Sequence, residues 1–182
     1  LKSQEISIEM HEELIEYSKS KNIIFLSTPY DEKSAKILFD LNVELIKIAS
    51  TDNNNIPFLK FLANNGTPLI LSTAMCNIED VDLSIQIFKN IDFKDLILLQ
   101  CTGSYPAPIE DSNLKVIQSY KERYDLIVGY SDHVIAHEPA IASVALGAKV
   151  YERHLTIDKN LPGPDHRASS EPDEFKLLIQ KI

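Results

Sequence analysis

The apolar positions of this 182-residue chain repeat one alternation along its whole length. Near-continuous apolar runs, rich in β-branched residues, fall at 23–29, 43–50, 68–73, 96–102, 126–132 and 149–156. Runs of that kind suit strands buried on both faces, as in a parallel sheet. Between them the apolar positions take helical spacing, over 32–39, 56–64, 78–89, 113–123 and 138–146. A further helix is predicted at 6–19, ahead of the first run, and another at 171–182, behind the last. Pro172 stands where a first helical residue is expected, and its missing N–H costs nothing there. Strand starts recur about every 20 to 30 residues, the spacing of βα units.

Six such units follow an opening helix. A closed (β/α)8 barrel needs eight units and roughly 250 residues. The pattern therefore predicts an α/β fold of one of two kinds: an open parallel sheet, or a TIM barrel without its first two strands. The helix at 6–19 favours the barrel, because it would cover a strand that is not in this sequence. Residues 1–182 then form one barrel domain, incomplete at its N-terminus. Its first strand would present an apolar edge, so the segment by itself is expected to self-associate.

Composition narrows the picture. At 44% hydrophobic residues the chain can bury one sizeable core. Its net charge is −9 with no basic patch, which argues against nucleic acid or an anionic membrane as partner. No apolar run reaches the ~18 residues of a membrane span. Cys76 and Cys101 make no disulfide framework and read as reduced thiols of a cytoplasmic protein.

The candidate chemistry collects at the carboxyl ends of the predicted strands, where parallel α/β folds carry their sites. Thr28, Ser50, Asp52, Thr73, Tyr105, His133 and His154 all fall at such ends. Lys47 lies inside an otherwise apolar strand, and by itself admits two readings. It is either a lysine snorkelling from an edge strand or a cation aimed into the barrel mouth to hold phosphate or carboxylate, with hydroxyls of Thr28, Ser50 and Ser131 beside it. A lone His133 or His154 would read as a core histidine bonded to a carbonyl. Two at successive strand ends bring in a divalent metal of the Mn²⁺, Fe²⁺, Co²⁺ or Zn²⁺ kind. Glu152 precedes His154 by two residues and shares its side of the strand. Asp132 alternates away from His133, toward another partner. His11, His137 and His166 have weaker claims. The stretch 161–166, with Asp165, reads as a loop over the same end.

These strings together resemble the sialic acid synthase family, the phosphoenolpyruvate-condensing synthases of nonulosonic acids, including the N-acetylneuraminate and legionaminate types. The carrying segments are 25–30 (FLSTPY), 46–50 (IKIAS), 70–75 (ILSTAM), 129–133 (GYSDH), 152–154 (ERH) and 162–165 (PGPD). The resemblance implies a TIM barrel that joins phosphoenolpyruvate to an N-acylated hexose, such as N-acetylmannosamine, and releases phosphate with the help of a divalent metal, usually Mn²⁺. It implies His133 and His154 as metal ligands and Thr28, Lys47, Ser50 and Ser131 as the phosphoenolpyruvate cradle. Tyr105 and Asp165 would hold the sugar, with Glu152 beside the metal; Glu152, Asp52 and Lys47 are the catalytic candidates. It also implies a homodimer for a full-length parent.

Departures from the family pattern accompany the match. Gln100 stands where a histidine is common, Gly103 where an Asn or Ser is common, and Ala74 where a Gly is common. Asp52 replaces a Glu of the sialic acid synthases, as in legionaminate-type members. The family's first-strand Glu-Ile-Gly…Asn-His motif and its C-terminal antifreeze-like domain have no counterpart in these residues. Two rivals remain: a related barrel aldolase or deoxy-sugar-acid synthase, and an inactive binding or assembly module. The deoxy-sugar-acid enzymes would need a second basic cluster for a phosphorylated sugar, and only Arg153 and Arg167 lie near the predicted site.

Overall fold

The computed structural model describes residues 5–182. Six strands form one sheet in sequence order, every neighbouring pair parallel. They are β1 (Leu26–Ser27), β2 (Leu45–Ile48), β3 (Leu69–Ser72), β4 (Leu96–Cys101), β5 (Ile127–Asp132) and β6 (Val150–Arg153). Helices fill every connection: α2 (Glu32–Asp40), α3 (Ile56–Asn65), α4 (Ile78–Asn90), α5 (Lys115–Tyr124) and α6 (Glu138–Ala145). Helix α1 (Ile8–Ser20) precedes the sheet and α7 (Pro172–Ile179) follows it. Consecutive parallel strands, each returned by a helix on the same side, curl into a half-barrel of the TIM type.

Sheet register fixes what each face carries. Ile46, Ile48, Leu69, Leu71, Leu96, Leu98, Val128 and Tyr130 form the core with helical residues such as Leu59, Leu62, Phe88 and Ile117. The alternate positions face the concave side. There Lys47 lies level with Ile70, Ile97 and Ile127, and Ser72 with Leu99, Gly129 and Val150. Cys101, Ser131 and Glu152 form the last row before the rim. Gly129 has no room for a side chain: an added Cβ would collide with the Val150 carbonyl and lie 2.6 Å from Leu99 Cδ2.

Local signals set the helix ends. Asn77 and Asp80 form a reciprocal capping box at the start of α4. Gly66 ends α3 in the left-handed conformation at φ 84°. Departures from the predicted pattern cluster at the two ends of the sheet. The apolar run 23–29 pairs only over Leu26–Ser27, and Ile23 and Ile24 are exposed. Among the described residues nothing beyond that edge holds them in a ladder. Helix α1 has no fully buried residue, so its apolar side chains are largely in the open. The run 149–156 pairs only through Arg153, although Leu155 bridges to Ser170. Helix α5 starts two residues later than predicted, because Asn113 takes a left-handed turn at φ 46°. No helix among the described residues is long and apolar enough to cross a membrane.

Candidate functional site

A cavity of about 580 Å³ opens at the carboxyl ends of the strands. Thr28, Lys47, Ser50, Tyr105, Ser131, His133, Glu152, His154 and Asp165 all line it. They come from β1, β2, β4, β5 and β6 or the loops that follow them, so the half-barrel itself gathers the set. Lys47 is its floor. The ammonium donates to Ser72 Oγ at 2.7 Å and lies 3.6 Å from Glu152 Oε1. That pairing explains how a lysine only 8% exposed is tolerated among apolar strands. The sheet continues past Lys47 on both sides, so it does not snorkel from an edge.

The hydroxyls are already oriented. Ser131 donates to Glu152 Oε1 at 2.7 Å, tying that carboxylate to the floor. Ser50 Oγ accepts the Ala74 N–H at 2.9 Å, which leaves its own proton free for an anion in the cavity. Tyr105 packs against both imidazoles, its ring centroid 4.0 Å from that of His133 and 5.4 Å from that of His154. Burial, with the charges of Cys101, Asp165 and Glu152 adding, pushes the Tyr105 phenol up to about 12. It is therefore a hydrogen-bond donor at neutral pH.

His133 is almost fully buried, and its Nδ1 sits 2.7 Å from the Thr102 carbonyl. A carbonyl only accepts, so Nδ1 carries the proton and Nε2 presents a lone pair. Burial holds the imidazole below its usual pKa; the Thr102 bond opposes this and the neighbouring His154 adds to it. The ring is neutral at neutral pH, as a metal ligand must be. The His133 and His154 centroids are 5.4 Å apart. With metal–nitrogen bonds of about 2.1 Å, two imidazoles on one ion have centroids roughly 5 Å apart, so the pair fits. Among the described residues no group of three or more His, Cys, Asp or Glu side chains could hold a metal ion. An ion here would complete its coordination with water or substrate oxygens.

Of the strand-end candidates, Asp52 and Thr73 do not reach the cavity; Thr73 donates to the Leu99 carbonyl and lines a neighbouring cavity instead. Ser50–Asp52 makes a single 3₁₀ turn, which buries Asp52 and points its Oδ1 at Asn55 Nδ2, 3.0 Å away; Thr51 lines the cavity instead. Gln100 also faces elsewhere. It lies level with Tyr130 and donates to the Ser112 carbonyl, lining a neighbouring cavity of about 520 Å³. Gly103 does reach the site, where an added Cβ would meet Met75 Cγ at 3.2 Å. Arg153 points away from the cavity into a buried ion pair with Asp132. Among the described residues that line the cavity, Lys47 is the one lysine or arginine. Ser72 and the Thr102 carbonyl carry functions that sequence reading missed. Ser72 was visible as a strand-end hydroxyl, whereas a carbonyl's role leaves no mark in the sequence.

Residues 1–182 match the model of the NeuB family. Among curated proteins, the N,N'-diacetyllegionaminic acid synthase of Campylobacter jejuni is 43% identical over 180 residues, covering 98% of this chain and 54% of that protein. The human N-acetylneuraminate-9-phosphate synthase is 38% identical over 179 residues, covering 98% of this chain and 50% of that protein. The crystal structure of an N-acetylneuraminic acid synthetase from Leptospira borgpetersenii superposes with a TM-score of 0.93 at 37% identity, covering 97% of this chain and 62% of that one. The chain spans about half the length of the curated relatives it matches.

Proposed function

The chain belongs to the NeuB family, and from that premise we propose that its cavity condenses phosphoenolpyruvate with an N-acylated amino-hexose to give a nine-carbon sugar acid and phosphate. The observation that carries this reading is the joint presence, in one cavity, of a buried ammonium, hydroxyls, two carboxylates and two imidazoles. Lys47 offsets the charge of the enol phosphate, and the Ser50 proton is available to its oxygens. Tyr105 and Asp165 flank the side of the cavity where the acceptor sugar would lie. A divalent ion of the Mn²⁺ kind, held by His133 and His154, would supply a Lewis acid for the acceptor's carbonyl oxygen.

The bonds then balance as follows. C3 of the enol bonds to the acceptor's carbonyl carbon, whose oxygen takes up a proton; water adds at C2 and loses one proton; and the C2–O bond to phosphate breaks as the new C2 hydroxyl gives up its proton and becomes the keto group. Glu152 takes the proton of that water in this reading, which is supported by the contacts of Ser131 and Lys47 with its carboxylate. With Asp52 turned onto Asn55, Glu152 and Asp165 are the carboxylates left to handle protons there. A single lining cation supports an unphosphorylated acceptor over a sugar phosphate, which would add a second dianion. The test is phosphate release from phosphoenolpyruvate with N-acetylmannosamine or a diacetylated analogue as acceptor. Release should require the acceptor and should fall at least about 100-fold in Lys47→Ala, the scale of losing one preorganised charge-stabilising group. Acceptor-independent release, or release indifferent to Lys47, would overturn the proposal.

A further inference from the structure

We infer that Arg153 and Asp132 are positioning residues: their buried ion pair on the back of the sheet sets the relative placement of the two imidazoles on its front. The inference rests on the reading of His133 and His154 as a ligand pair. Asp132 immediately precedes His133, Arg153 immediately precedes His154, and the two stand directly opposite each other in the β5–β6 ladder. Both side chains are essentially out of water, at 0% and 2% exposure, and meet at 3.0 Å.

Their remaining bonds go to the backbone around each histidine. Asp132 Oδ1 accepts the Val134 N–H at 2.9 Å, and Arg153 donates to the Val134 carbonyl at 2.6 Å. The residue after His133 is thus held from both sides. Arg153 also donates through Nε to Ser170 Oγ, and the Ser170 N–H donates to the His154 carbonyl at 2.9 Å. Tyr151 donates to Asp132 Oδ2 at 2.7 Å and closes the network. A buried ion pair adds little net stability over apolar residues of similar volume. What this one uniquely supplies is a fixed geometry, because the guanidinium fork reaches the loops behind both histidines at once.

The experiment measures the Mn²⁺ dissociation constant and the thermal midpoint of the unmodified protein, of Arg153→Lys and of the double variant Asp132→Leu/Arg153→Met. The double variant removes both charges together and so leaves neither unpaired. We expect it to fold with a comparable midpoint but to bind Mn²⁺ more weakly by on the order of 10- to 100-fold, the usual loss when support behind a ligand is removed. Arg153→Lys keeps the charge but not the fork, and should lose affinity in the same direction even if the double variant fails to fold. Folded variants that bind Mn²⁺ as tightly as the parent would overturn the clamp while leaving the ligand pair intact. A parent that binds no Mn²⁺ would overturn the ligand pair itself and the clamp with it.

Discussion

Lys47 and the two cysteines mark how far single residues can be read. A lysine between Ile46 and Ile48 admitted two readings, a snorkelling edge residue or a cation aimed into the barrel mouth. Ser72, 25 residues away in the sequence and one strand over, settled that. The imidazoles were legible because each ends a strand, and Glu152 because it alternates with His154. Asp52 misled because a strand-end position is read as rim-facing, and one 3₁₀ turn after the strand redirected it. Cys76 yields a separate prediction. Burial, with Asp80 adding, raises its thiol to about 11, so at pH 8 only about one molecule in 1,000 carries the thiolate. Alkylation by iodoacetamide, followed by mass spectrometry, should be slow at pH 8 and should accelerate about tenfold per pH unit until near pH 11. Labelling that levels off near pH 9 would contradict the burial assigned to this thiol.

At the scale of elements, the apolar runs and the helical spacing between them locate the six strands and seven α-helices of the described residues, because strands buried on both faces leave continuous apolar runs. Element ends were less legible where tertiary neighbours decide them, as at β1, which among the described residues has no partner on its outer side. Two substitutions probe elements directly. Gly129→Ala drives a methyl group between β5, Leu99 and Val150, and should lower unfolding free energy by about 1–3 kcal/mol or more in urea titrations. An unchanged midpoint would mean that β5 and β6 are less tightly apposed than described. Asn77→Ala removes the capping box of α4 and should cost about 1 kcal/mol by the same measurement, without altering the site.

At the scale of the whole sheet, the strands of the described residues leave two edges unpaired, and apolar side chains gather at both. Ile8, Met10 and Tyr17 of α1, with Ile23 and Ile24, stand exposed beside β1; Leu155 and Ile157 stand exposed beyond β6. A half-barrel with such edges pairs with whatever covers them. The 182-residue segment produced by itself should therefore self-associate in light scattering; a monodisperse monomer with cooperative unfolding would refute this. The same half-barrel brings the charged groups of the cavity together at the carboxyl end of its strands, which is why a site built from residues as distant as Thr28 and Asp165 can act as one unit. The decisive measurement is carbon NMR of phosphoenolpyruvate labelled with carbon-13 at C3, incubated with the N-acylated hexose labelled at its aldehyde carbon, Mn²⁺ and the protein. A new carbon–carbon coupling from C3 to the former aldehyde carbon, abolished in His133→Ala, is the predicted result. Label that stays in phosphoenolpyruvate, or appears only in pyruvate, would contradict the condensation.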